Sequence, residues 1–226
     1  MNQSQNKYKI VVATQKNKEE FEKTRIKLSI DKLGWSSKLI VITENKQGLS
    51  EVYNQFLTEE YAQYKILFVH DDVLIEDLFF DEKLELAFQK YDIVGLAGSK
   101  KCNLTAEMPA WHLMCQREDM VGEVSHSKDK NYWTTCFGPT DSRALILDGV
   151  FLGINVESLL KTNTKFDENF KFHHYDITFC LTANKNKLKM GVYPLKITHF
   201  GLGDSMNTTD WQQSAAKFKE LYAKAI

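Results

Sequence analysis

Short apolar runs rich in β-branched residues alternate with amphipathic stretches through the first half of the chain. Tyr8–Ala13 (YKIVVA), Lys38–Thr43 (KLIVIT), Lys65–Val69 (KILFV) and Asp92–Ala97 (DIVGLA) each read as a buried strand. Between them, Phe21, Arg25 and Leu28 recur at helical spacing with Gly34 as a stop. Ser50 caps a second helix carrying Tyr53, Phe56, Leu57 and Tyr61 on one side, and Asp81–Tyr91 is a third. Strands of this kind separated by helices predict an α/β fold with a parallel sheet covered on both faces. Such sheets bind ligands beyond the carboxyl ends of their strands. Thr14, Thr43–Asn45 and His70–Asp72 all follow strands, so they are expected to cluster at one edge.

The second half is less regular. Ser99–Arg143 holds two Trp and two His and few long apolar runs, and reads as loops and short strands folded over the site. Ala144–Ile154 returns to a strand pattern interrupted at Asp148-Gly149. His173–Asn184 reads as a helix, Leu188–Thr198 as a strand pair broken by Pro194, and Thr209–Ala225 as an amphipathic helix with Trp211, Ala215, Phe218 and Tyr222 on one stripe. No repeat or low-complexity linker marks a boundary. One domain spanning 1–226 is the simplest reading, with a regular half of about 1–100 and a less regular half of about 101–226.

Length and composition narrow the class. The 226 residues are enough for one full core, and 43% hydrophobic with 12% aromatic residues argue against disorder. The 29 basic and 30 acidic side chains nearly cancel, which gives no reason to expect nucleic acid or an anionic membrane as partner. No apolar run approaches the roughly 18–20 residues that cross a bilayer, so no transmembrane segment is expected. The polar start, Met1–Lys9, lacks the apolar core of a signal peptide, and the expectation is a soluble, cytoplasmic protein. Cys102, Cys115, Cys136 and Cys180 are far apart in sequence and form no Cys-x-x-Cys pair; buried free thiols are expected.

Four places carry candidate chemistry. Asp71-Asp72, adjacent carboxylates at the end of an apolar strand, suit a site where a hard divalent cation meets a diphosphate; they equally suit a solvated turn with a helix cap. His199 follows a strand and is either a hydrogen-bonded structural residue or an imidazole that tilts a carboxylate site toward Mn²⁺. Asp176 is either a general base or a first-turn acid favoured by the helix dipole. His173 and His174 are neighbours and cannot share a helix face as a metal pair would. The stretch Gly201–Met206 (GLGDSM) lacks the third glycine of a dinucleotide fingerprint and lies in the wrong half. There is no nucleophile elbow, Walker loop or His-Glu-x-x-His.

Taken in order, these segments resemble the GT-A glycosyltransferases, in particular the small family-2-like branch. The resembling pieces are YKIVVAT, Gly48-Leu49 with Tyr53-Asn54, His70-Asp71-Asp72-Val73, Val94–Ser99, Leu147–Phe151, FDENFKFHHYDITFC and Ile197–Gly201, which together span nearly the whole chain. The resemblance implies a GT-A, Rossmann-like, mostly parallel sheet flanked by helices, with a smaller acceptor-side region. It implies a nucleotide-sugar donor, a glycan or other hydroxyl acceptor, and a divalent metal, Mn²⁺ or Mg²⁺. Asp72 matches the metal-binding Asp that ends an Asp-x-Asp-like triplet, Asp71 stands as a further ligand and donor contact, and His70 occupies the first position, where it departs from the pattern. His199 matches a histidine that completes the metal site. Asp176 matches the base of inverting members, although Tyr175 precedes it where many relatives have Glu. Thr14, Asn45 and Asn54 fall on donor-binding segments, and Asp148-Gly149 borders donor sugar and acceptor. Trp111 and Trp133 supply either an aromatic platform for a sugar or core packing. The rival readings are a sugar nucleotidyltransferase, which needs a glycine-rich loop that Thr14-Gln15-Lys16-Asn17 does not provide, and an inactive nucleotide-sugar-binding module.

Overall fold

The computed structural model describes residues 8–128, 130–201 and 204–223; most of the polar start, the middle of Gly201–Met206 and the predicted helix end at Ala225 lie outside them. In chain order the elements are β1 (Tyr8–Ala13), α1 (Lys18–Phe21), α2 (Arg25–Lys32), β2 (Leu39–Ile42), α3 (Leu49–Asn54), β3 (Lys65–Val69), β4 (Val73–Ile75), α4 (Phe80–Lys90), β5 (Ile93–Gly95) and β6 (Ala97–Ser99). They continue with β7 (Met120–Lys128), β8 (Asn131–Cys136), β9 (Ser142–Arg143), β10 (Ile146–Leu147), β11 (Phe151–Asn155), α5 (Val156–Lys161), α6 (Tyr175–Lys185), β12 (Met190–Val192), β13 (Ile197–His199) and α7 (Thr209–Phe218).

The expected α/β architecture is present, with helices flanking two sheets. Among the described residues the larger sheet runs β2-β1-β3-β11-β5-β12-β9. Its β2-β1-β3 side is parallel, as the apolar runs predict, whereas β11 inserts antiparallel between β3 and β5 and makes the sheet mixed. A second sheet runs β10-β6-β7-β13-β4, with β8 pairing β7. β1, β3 and β11 form the centre of the core: Ile10, Val11, Val12, Phe68, Phe151 and Leu152 are fully buried. Burial of such side chains is the main stabilising term, at roughly 1.5–3 kcal/mol each.

Several local expectations are corrected. The first helical stretch splits at Thr24, whose hydroxyl caps α2, and the buried stripe is Phe21, Ile26 and Ile30 while Leu28 faces solvent. Gly48, not Ser50, is the cap residue of α3; Ser50 lies inside the helix and its buried hydroxyl donates to Phe170 O at 2.6 Å. The run Asp92–Ala97 divides between the sheets as β5 and β6, and β12 and β13, read as a pair, also lie in different sheets. Ser99–Arg143 contains a long antiparallel hairpin, β7–β8, in addition to irregular turns.

Candidate active site

The turn between β3 and β4 aims neighbouring carboxylates in different directions. Asp71 faces β1, where one oxygen accepts from Thr14 Oγ1 and, at 2.5 Å, from Lys16 Nζ. Asn45 N donates to Thr14 O at 2.8 Å, and the Asn45 side chain closes on the backbone of Gln47. Thr14, Lys16, Asn45 and Asp71, with His70 and Asp72 at the far end, line a cleft of about 350 Å³.

Asp72 faces the other way. β4 and β13 pair antiparallel with His199 opposite Val73, so the residue before Val73 meets the end of β13. Asp72 Oδ2 lies 3.3 Å from His199 Nε2, and Phe200 N donates to Asp72 O at 2.9 Å. The Arg25 guanidinium packs 3.9 Å over the Phe200 ring and supports that turn from α2. His70 enters from the end of β3, and one ligand atom from each of His70, Asp72 and His199 lies within 4.8 Å of the others. Burial pulls the His199 imidazole down, but the hydrogen bond and charge of Asp72 outweigh it and the net direction is upward. Burial raises Asp72, and the two imidazoles more than reverse this. Burial lowers the pKa of His70, the direction that favours the neutral ring that ligates metals.

These residues fit a divalent cation. Asp72 Oδ1 is buried without a hydrogen-bond partner, an oxygen that wants a cation or donor. Gly201 keeps the space open: a Cβ there would stand 2.5 Å from His199 Nε2 and 2.7 Å from Asp72 Oδ2.

A second cleft, of about 420 Å³, meets the first at His70 and Asp72 and extends over Asp148, Asp176, Trp111 and Trp211. Asp148 is fixed by the Trp111 indole, whose Nε1 donates at 2.7 Å, and its other oxygen accepts from Val150 N at 2.9 Å. Asp176 lies in the first turn of α6 and accepts from Ile177 N at 2.9 Å and Gly149 N at 3.0 Å. Only the cleft side of the residue is open, and burial, then the charge of Asp148, push its pKa up to about 7. Tyr175 Oη donates to Gly149 O at 2.9 Å and lies 3.0 Å from His70 Nε2. His174 takes a left-handed backbone (φ 63°) to start the helix, and burial first, then His173, holds its pKa near 4.

The structure therefore gathers Thr14, Asn45, His70, Asp71, Asp72, Trp111, Asp148, Gly149, Asp176 and His199 along two joined clefts. Asp71 stands apart from the His70–Asp72–His199 group because Thr14 and Lys16 occupy it. Asn54 lies elsewhere: its amide accepts from Phe166 N and donates to Phe166 O and Glu168 Oε1, a staple that uses both of its N–H donors. Trp133 lines an adjoining cleft of about 270 Å³, stacked on His126 with ring centres 5.4 Å apart. Sequence reasoning missed Lys16, which sits just past a strand end, and placed Trp211 only on a packing stripe although it also lines the larger cleft.

The model of a family described as "Glycosyltransferase like family" matches residues 10–224. No curated protein matches. The crystal structure of A197 from STIV is similar in fold, with a TM-score of 0.51 and 16% identity over 86% of each chain. With a family model covering almost the whole of its length, the chain belongs to the glycosyltransferase-like family.

Proposed function

We propose that the protein transfers a sugar from a nucleoside-diphosphate sugar to an acceptor hydroxyl, with a divalent metal and with inversion at the anomeric carbon. The observation that carries this reading is that Asp176, an enclosed carboxyl with its pKa pushed up to about 7, faces the same cleft as the His70–Asp72–His199 group. In this reading the nucleoside occupies the cleft of Thr14, Asn45 and Asp71, and its diphosphate reaches the junction at His70 and Asp72. His70, Asp72 and His199 would hold the metal, and the donor set of two imidazoles and one carboxylate favours Mn²⁺ over Mg²⁺. When bound, that ion supplies electrostatic stabilisation of the departing diphosphate.

The acceptor enters the larger cleft between Trp111 and Trp211, whose indoles suit a sugar face. Asp176 takes the proton of the acceptor hydroxyl as its oxygen bonds the anomeric carbon, and the electron pair of the breaking carbon–oxygen bond leaves with the nucleoside diphosphate. Asp148, held by Trp111 and Val150, lies beside that carbon in this reading and raises the proton affinity of Asp176.

A thermal-shift screen of nucleotide sugars with Mn²⁺ tests the assignment, followed by turnover of each stabilising donor. A ligand at 100 times its dissociation constant stabilises by about 2.7 kcal/mol, well within detection. The expected result is stabilisation that needs both donor and metal, with slow donor hydrolysis. Binding without turnover identifies an inactive module instead, and no response to any donor and metal together overturns the proposal.

A further inference from the structure

The proposed metal group and the proposed base are linked by one side chain that neither role explains. Tyr175 is buried, its ring packed against Tyr53 and Phe166, and its hydroxyl lies between His70 and Gly149. Gly149 in turn donates through its N–H to Asp176 Oδ2 at 3.0 Å. We infer that Tyr175 is a positioning residue that fixes the tautomer of His70 for metal binding and, through Gly149, holds the carboxylate of Asp176. This rests on the functional reading above for what the two ends do, but the hydrogen-bond order can be tested without it.

The direction of the relay follows from counting protons. A phenol carries one, and Gly149 O, which can only accept and is the nearer partner at 2.9 Å, is assigned it. Toward His70, 3.0 Å away, the phenol oxygen must then accept, which places the imidazole proton on Nε2. A neutral imidazole has only one N–H, so Nδ1 keeps its lone pair and is the atom left to ligate. The Tyr53 hydroxyl also meets that of Tyr175. Outer partners of this kind commonly set ligand orientation, and their loss costs about 10–100-fold in metal affinity.

Gly149 transmits the constraint because both of its backbone polar groups are engaged, the C=O by Tyr175 and the N–H by Asp176. The fit leaves no room for a side chain: a Cβ on Gly149 would stand 2.4 Å from Tyr175 Oη and 3.0 Å from Asp176 Cβ. Losing the phenol therefore frees the His70 ring at one end and the Gly149 turn at the other.

The test uses the whole metal-free protein and Tyr175→Phe, which keeps the ring and removes only the hydroxyl. Long-range ¹H–¹⁵N NMR reads the His70 tautomer directly, and Mn²⁺ alone, titrated by calorimetry, reads affinity. The relay predicts an Nε2–H tautomer for His70 in the wild type and a tautomer mixture in the variant. It also predicts Mn²⁺ affinity reduced about 10–100-fold, and a shift in the midpoint of the acid limb of kcat/KM. An Nδ1–H tautomer in the wild type overturns the inference even if the variant does not fold. So does a variant with unchanged tautomer and unchanged Mn²⁺ affinity. A wild type that shows the Nε2–H tautomer, with a mixture in the variant, but binds no Mn²⁺ supports the relay and defeats the metal reading above.

Discussion

Asp71 and Asp72 are consecutive residues that serve different clefts: Asp71 is held by Thr14 and Lys16, whereas Asp72 lies 3.3 Å from His199. Substitutions of the two should therefore separate. Asp72→Ala should abolish Mn²⁺ binding seen by calorimetry. It should cost the fold about 1–3 kcal/mol, because the His199 ring loses its Oδ2 partner whereas the unpartnered Oδ1 has none to lose. Asp71→Asn should keep Mn²⁺ binding and weaken nucleotide binding, since the loss falls on the Thr14–Lys16 side. Equal loss of metal affinity in both variants would show that the carboxylates act as one group.

The strands of the first half were legible because they are buried on both faces and read as unbroken apolar runs; β1 and β3 match their predicted limits. The meeting of Asp72 and His199 was expected from the family resemblance alone, and its physical reason, the register that sets His199 opposite Val73, is a long-range pairing that no local pattern carries. Asn54 shows the converse failure. A polar residue on a donor-binding segment looks available until its amide is seen to be spent on Phe166 and Glu168. His70 was expected as a donor contact and not as a neighbour of His199, because its place depends on long-range contacts, its N–H to Val150 O and its ring to Tyr175.

Asp176→Asn should lower turnover by roughly 10²–10⁴-fold, the usual range for a general base, with donor affinity little changed. In the wild type, kcat/KM should rise with pH to a plateau, with its midpoint near the Asp176 pKa of about 7. The stability sign is opposite. The folded pKa lies above the ordinary value of 3.8, so the native state holds this proton more tightly than the unfolded chain. Its penalty is absent below about pH 4, grows as pH rises toward 7, and stays constant above, on the order of a few kcal/mol. The melting temperature of Asp176→Asn relative to wild type should thus be higher at pH 8 than at pH 5. A difference independent of pH would place the Asp176 pKa at its ordinary value and remove the case for a tuned base.

Gly201→Ala probes the metal group without touching a ligand. Its methyl would stand 2.5 Å from His199 Nε2 and 2.7 Å from Asp72 Oδ2, closer than carbon and these atoms tolerate, so the pair must separate or the turn must shift. Mn²⁺ affinity should fall at least tenfold, about 1.4 kcal/mol, while circular dichroism and the cleft of Thr14 and Asn45 stay as in the wild type. Unchanged Mn²⁺ affinity would mean that the ion, if it binds, is held elsewhere.

The irregular part of Ser99–Arg143 lies before β7, and the hairpin β7–β8 that follows is locked into the second sheet. Residues 100–119 carry Pro109, Ala110, Trp111 and His112 onto the wall of the larger cleft, and Trp111 is anchored there by its bond to Asp148. Lys101 is well exposed and reaches Asp119, and it offers trypsin a site at the root of the segment. Long irregular segments in compact proteins are commonly functional covers, and local opening sets how fast such a segment is cut. Donor filling the cleft should favour the closed arrangement, so cleavage at Lys100 and Lys101 should slow only when Mn²⁺ and the matching nucleotide sugar are present together. Trp111→Phe, which removes the indole N–H from Asp148, should speed cleavage without ligand and reduce the protection. Cleavage in the β7–β8 hairpin should not respond, because sheet pairing rather than cleft occupancy holds it. If residues 100–119 are cut at the same rate with every donor and metal pair, and Trp111→Phe changes nothing, the segment is fixed scaffold and the acceptor must be admitted by another route.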